Sequence, residues 1–460
     1  MSETEFAESA DTAPAAFCGA GDGFGPGDGV GPGAEGLAAW LGALALPSPA
    51  SDDAARIDRI RLLEQIKSAA AAAQALETVG FRASQLAAQR AAGVPARDLG
   101  KGIGAQVALA RQESPFKAAR LLGLATALVS EMPYTFEQLQ SGTISEWRAT
   151  LVVRETACLS TEDRGIVDQR LRGRLAALSD GQVAAQTRRL AYELDPAAAV
   201  ARARRAETER CVTLRPAPDT MTYLTGLLPV VQGVAVLAAL TREADARRAQ
   251  GDSRSKGQVM ADTLVERVTG QTVADQVPVE VQVVMTDTAL LDADPAPAHV
   301  TGYGPVPSAL VRGHLAGLAD TTITWLRRLY TRPGTSQLAA IDSTRRLFDG
   351  NLARHLTIRD QVCRTPWCGA PIRHHDHVVP AADGGQTSTA NGQGLCEACN
   401  HAKEATGWRA QPAPSTAGDS ITITTPTGHV YSSSPPPLPG TPTAHRSLGP
   451  PGAVATLVGA

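Results

Sequence analysis

The sequence predicts a mainly α-helical N-terminal domain, a small α/β middle segment and a small C-terminal domain built around metal, with disordered termini. Three observations carry this. Hydrophobic residues make up 43% of the 460 residues but aromatics only 4%, so the core has to be built from Ala, Leu and Val, which favours helices. Apolar residues recur at helical spacing, between start and stop signals, from about residue 53 to 270. Four of the seven cysteines, Cys363, Cys368, Cys396 and Cys399, fall in two close pairs.

Residues 1–52 include GAGDGFGPGDGVGPGAEG, too rich in Gly and Asp to pack a core, and read as a flexible leader. Glu3, Glu5, Glu8 and Asp11 stand where a secretory signal needs basic and then apolar residues, so a soluble, cytoplasmic protein is expected. In the helical domain, 53–270, Ser114-Pro115 reads as N-cap and first turn. A stripe of Leu121, Ala125, Leu128, Val129 and Met132 follows, and Pro133 closes that helix. Thr135 and Gln138 resemble a capping box, Ser145 opens another helix through Trp147 and Leu151, and Thr161-Glu162-Asp163 a further one. The uncharged run Thr220–Thr241 is interrupted by Pro229, Gly226 and Gly233, which predicts a buried core helix after a turn and no membrane span.

The connecting segment 271–350 opens with Val279–Met285, β-branched and alternating, a strand. A Gly/Pro turn then feeds a helix from Ser308, and TTITWLRRLYTRPGTSQL reads as strand-turn-strand. Residues 351–410 hold the cysteine pairs. ITITTPTGHVY, within 411–432, predicts a β-hairpin, and 433–460 is a Pro-rich tail with no means of packing. A net charge of −3 excludes a polyanion mimic or a histone-like cation, so any nucleic-acid site must be a local patch.

Cys363-x4-Cys368 and Cys396-x2-Cys399 are two knuckles that can converge four thiolates on one structural Zn²⁺. Such an ion supplies the folding energy that so short a segment cannot draw from a core. Between the knuckles lie Asp376-His377, Asp383-Gly384-Gly385 and Asn391, and the second knuckle leads into a helix with Asn400, His401 and Lys403. A carboxylate, an imidazole and an amide suit a catalytic divalent ion beside a general base.

The pattern Cys-x4-Cys, Asp-His-x2-Pro-x3-Gly-Gly, Asn, Leu-Cys-x2-Cys-Asn-x2-Lys resembles the HNH nuclease motif, a ββα-metal finger. Upstream, SPFKAARLLGLATALVSEMPYTFEQLQSGTISEWRA, LDPAAAVARARRAETERCV, GDSRSKGQVMADTLVERVTG and GYGPVP resemble the helical domain of the 13E12-repeat proteins, domain of unknown function 222. The resemblance implies an endonuclease acting on DNA, with RNA as the alternative substrate. His377 is then the general base. Asp376 ligates Mg²⁺ or Mn²⁺ with Asn400, or with His401, as second ligand. Asn391 holds the hairpin loop and so orients His377, while the four cysteines stay clear of substrate. A homodimer would follow from double-strand cutting by a single-site enzyme.

From Asp320 to Arg373 nine arginines interleave with Trp325, Tyr330 and Trp367. Of these, Arg359, Arg364 and Arg373, with His375 and Lys403, are the expected nucleic-acid contacts. The competing reading is a non-catalytic zinc-containing nucleic-acid-binding protein or mobile-element relic. The intact set Asp376, His377, Asn391 and Asn400 weighs against it, because a binding module has no use for a carboxylate beside a histidine.

Overall fold

The computed structural model describes residues 33–46, 52–271, 283–292, 294–316, 348, 350–413 and 419–438. Two units follow along the chain, 1–62 and 63–460. The first holds α1 (Ala34–Ala45) and the start of α2 (Asp53–Ala91). Helix α1 stands inside the stretch expected to be a flexible leader, because AEGLAAWLGALA contains nine strong helix formers and only two glycines. None of its residues is buried. Among the described residues no helix is long and apolar enough to cross a membrane.

The second unit continues α2 and adds α3 (Ile103–Ala110), α4 (Pro115–Glu131), α5 (Pro133–Gln140), α6 (Glu146–Glu155), α7 (Thr161–Leu171), α8 (Asp180–Leu194) and α9 (Pro196–Thr208). Leu128 and Met132 from the expected stripe, with Leu124 beside them on α4, meet Leu139, Ile144, Val152, Val167, Leu171 and Val183 in one core of aliphatic side chains. The caps are local chemistry. Ser114 Oγ accepts the Lys117 amide, Ser145 Oγ that of Arg148 and Ser160 Oγ that of Asp163. Pro133 ends α4 and opens α5 at once, with Met132 as the shared cap. Thr135 therefore lies inside α5 and is not the N-cap its spacing implied. The buried carboxylate of Asp168 in α7 does that work instead, accepting the amides of Tyr134 and Thr135 and the Thr135 hydroxyl.

Beyond α9, β1 (Cys211–Pro216) pairs antiparallel with β2 (Thr222–Leu227), and α10 (Val230–Ala249) packs on α11 (Lys256–Thr269). The run Thr220–Thr241 is thus not one buried helix. Its first part, with Thr222, Tyr223 and Thr225, forms a strand. Pro229 caps α10, whose Val230, Val231 and Val234 are exposed. Strands β3 (Val283–Val284), β4 (Ala298–Val300) and β5 (Gly304–Val306) form a small antiparallel sheet with α12 (Asp287–Leu291) and α13 (Ser308–Ala316). The rest of the strand expected from Val279, and the segment 321–338 with Arg327, Arg328, Arg332, Trp325 and Tyr330, lie outside the described residues, as do Arg345 and Arg346.

The C-terminal part begins with α14 (Gly350–Asp360). A hairpin of β6 (His374–His377) and β7 (Gly392–Leu395) runs into α15 (Glu397–Lys403). The expected hairpin at 421–431 forms as β9 (Ile421–Thr424) and β10 (Val430–Ser433), joined by β8 (Arg409–Pro412) in a three-stranded sheet. Ile421 and Ile423 of that sheet pack on Val378 beneath the finger.

Asp168 ties α7 to the start of α5 through a buried charge, so Asp168→Ala should cost about 3 kcal/mol in urea unfolding of the full chain. A loss under about 0.5 kcal/mol, the scale of an ordinary surface substitution, would show the contact to be dispensable.

Candidate metal centre and catalytic site

Two loops deliver the cysteines. The first closes when the Cys363 amide donates to the Ala370 carbonyl, and the second when the Cys399 amide donates to the Cys396 sulfur at the start of α15. All four sulfurs lie within 4.8 Å of one another and all four residues are buried. The Cys368–Cys396 and Cys368–Cys399 sulfur separations are 3.6 and 3.7 Å, against about 3.8 Å expected for a tetrahedron with Zn–S of 2.3 Å. Hydrogen bonds from the Cys368 and Cys399 thiols hold Cys363 far below the usual thiol range, and the same contacts push Cys368 and Cys399 up. Four thiolates cannot coexist at this spacing without a dication between them, so the residues fit a structural zinc.

Apart from Leu395, the buried apolar cluster around this centre consists of the cysteines themselves. Polar bonds do much of the remaining work. Asp360, fully buried, accepts from Arg359 Nε at 2.7 Å, Arg364 Nη1 at 2.9 Å and the Gly394 amide at 2.7 Å. Arg359 donates further to the carbonyls of Thr389 and Gly392, and Arg364 to those of Asp419 and Ser433. Both guanidinium groups are therefore struts inside the finger, 5% and 3% exposed, and cannot be the nucleic-acid contacts that the arginine count implied. A net count of basic residues says nothing about which of them a buried carboxylate recruits.

The hairpin between the knuckles carries the other polar residues. Asn391 is buried and clamps the loop. Its Oδ1 accepts the Val379 amide at 2.9 Å, and its Nδ2 donates to the carbonyls of Val379 and Gln386. Gly385 is required there, because a Cβ would run into the Val379 carbonyl oxygen and the Asn391 amide. At the end of β6, Asp376 Oδ1 accepts the His377 amide at 2.8 Å, and its side chain is 28% exposed. The His377 ring is 7% exposed, packs 4.7 Å from Phe348 and shares a hydrogen bond of 2.9 Å between Nε2 and Thr387 Oγ1. Its Nδ1 lies 3.8 Å from Asp376 Oδ1.

From α15, Asn400 presents a buried Oδ1 that has no hydrogen-bond partner among the described residues, whereas His401 is exposed. Lys403 Nζ contacts Asp376 Oδ2 at 2.7 Å and the His377 carbonyl at 2.8 Å. His375 bonds Thr357 of α14, and burial pushes its pKa down, so it is no free cation for a phosphate. Arg373 and His374, beside the site, and Arg354 on α14 are exposed. Thr387, Phe348 and Asp360 were not legible as site residues. Thr387 is one of several hydroxyls in its loop, whereas Asp360 had a usable signal in Arg364 four residues on.

The family described as "Domain of unknown function (DUF222)" has a model that matches residues 61–360, and the model described as "HNH endonuclease" matches 363–406. The first match runs through the α/β segment 283–316 and ends with α14. No curated protein and no solved structure matches the chain.

The purified chain should carry about one zinc, and Cys396→Ser should lose it and open residues 363–408 to hydrogen exchange. Full zinc content and unchanged protection in Cys396→Ser would remove the Cys₄ assignment.

Proposed function

As the chain belongs to the DUF222 family and carries an HNH endonuclease segment, we propose that it is a metal-dependent endonuclease hydrolysing DNA phosphodiester bonds. The observation that carries this reading is the orphaned Oδ1 of Asn400 on the helix whose Lys403 reaches the Asp376 carboxylate. A buried carbonyl oxygen without a partner costs about 1–3 kcal/mol, and a hard divalent ion such as Mg²⁺ or Mn²⁺ would recover it. Asp376 and Asn400 are the ligands in this reading. His401 is not, since its side chain is exposed. When bound, the ion polarises the scissile phosphate and offsets charge on the departing 3′ oxygen.

The remaining steps fall to the chain's own groups. His377 takes a proton from the attacking water. Its Nε2 shares a hydrogen bond with Thr387 Oγ1, and its Nδ1 lies on the Asp376 side of the ring. The Phe348 contact and the Thr387 hydroxyl hold the ring, and Asn391 keeps the loop that carries Thr387 against β6. Arg373, with the exposed His374 directly after it and the exposed Arg354 of α14, offers phosphate contacts. Arg359 and Arg364 take no part.

His377→Ala should lower cleavage at least about 100-fold while DNA affinity stays within about twofold. That pair of results, read from plasmid nicking and from a binding isotherm at fixed salt, separates chemistry from binding. Cutting that survives would dismiss His377 as the base. Affinity that falls with it would make the residue a binding or folding group and favour the non-catalytic reading.

A further inference from the structure

Lys403 is the last residue of α15, and a lysine there ordinarily lies over its own helix carbonyls in water. Here the side chain is only 14% exposed, and its ammonium sits among three oxygens. They are Asp376 Oδ2 at 2.7 Å, the His377 carbonyl at 2.8 Å and Glu404 Oε1 at 3.2 Å, one for each of its three donors. Asn400, three residues earlier on the same helix face, carries a buried Oδ1 with no hydrogen-bond partner among the described residues. A carboxylate, a main-chain carbonyl and an amide oxygen are hard donors of the kind divalent cations take, and an amine nitrogen already fills the place beside the carboxylate.

We propose that Lys403 is the resident cation of the catalytic metal site: its ammonium occupies the Asp376 carboxylate in the metal-free protein and is displaced when a divalent ion binds. This rests on the reading of Asp376 and Asn400 as metal ligands. A monovalent ammonium and a divalent ion drawn to one carboxylate oxygen repel each other at contact distance, so the two compete and their affinities are linked. Glu404 Oε1 gives the displaced ammonium a second anchor at the helix end, from which it faces solvent. The exchange sets the metal affinity of the finger and stops the Asp376 carboxylate from standing uncompensated before the ion arrives.

The test is Mn²⁺ titration by calorimetry on the zinc-loaded full chain. Lys403→Met removes the competitor and should bind Mn²⁺ about tenfold more tightly than the unaltered chain. Lys403→Arg keeps a cation on Asp376 and should bind no more tightly than the unaltered chain, which separates displacement from a general effect of altering the residue. A second readout follows the amine itself. The chain has five lysines, Lys67, Lys101, Lys117, Lys256 and Lys403, so acetylation can be read at each by mass spectrometry. Saturating Mg²⁺ should speed labelling of Lys403 alone. Equal Mn²⁺ affinity in Lys403→Met, with labelling of Lys403 unmoved by Mg²⁺, would overturn the exchange while leaving the metal site standing. Mn²⁺ binding indifferent to Asp376→Asn would instead overturn the metal-site reading, and the exchange with it.

Discussion

The C-terminal finger depends on four sulfurs being held in one place. The Asp376–His377 strand end and the Asn391 clamp lie between Cys368 and Cys396, and the finger has almost no apolar core of its own. The positions of these groups therefore follow from where the two knuckles meet. Asp360 adds a second constraint. Its carboxylate takes the amide of Gly394 on β7 and ties down two arginines, one reaching carbonyls at 389 and 392 and the other the β9–β10 sheet. The finger is thus held by the meeting of four cysteine sulfurs on one side and by a buried charge network on the other.

The polar residues divide between the two roles of holding and reacting. Asn391 spends both N–H donors of its amide and one acceptor site of its oxygen on the loop backbone. Asn400 has the opposite character, with a buried oxygen that no polar group among the described residues satisfies. The difference between these two asparagines distinguishes a scaffold residue from a candidate ligand. In the N-terminal region Asp168 plays the scaffold part again, a buried carboxylate satisfied by backbone amides.

Much of this was legible in the sequence where a short-range rule governs it. Ser114, Ser145 and Ser308 mark helix starts, and the alternation in ITIT with the turn after it marks a hairpin. The cysteine spacing and the Asp-His pair give the finger, because metal geometry demands particular residues at particular intervals. What was not legible depends on burial and long-range pairing. Arg359 and Arg364 look like surface cations until Asp360 is known to lie inside. Thr220–Thr241 looks like a core helix because its lack of charge cannot show that a strand partner at Cys211–Pro216 claims the first part. Thr135 looked like a cap because Asp168, thirty-three residues on, is invisible to local spacing.

Phosphodiester hydrolysis by a Cys₄-pinned finger of the proposed kind requires a divalent ion. The most direct measurement is incubation of supercoiled plasmid with the zinc-loaded chain in Mg²⁺, in Mn²⁺ and in EDTA, followed by analysis of the new ends. Nicks are expected only with a divalent ion, each carrying a 3′ hydroxyl and a 5′ phosphate. Cutting that persists undiminished in EDTA, or ends that carry a 3′ phosphate, would contradict the proposed function.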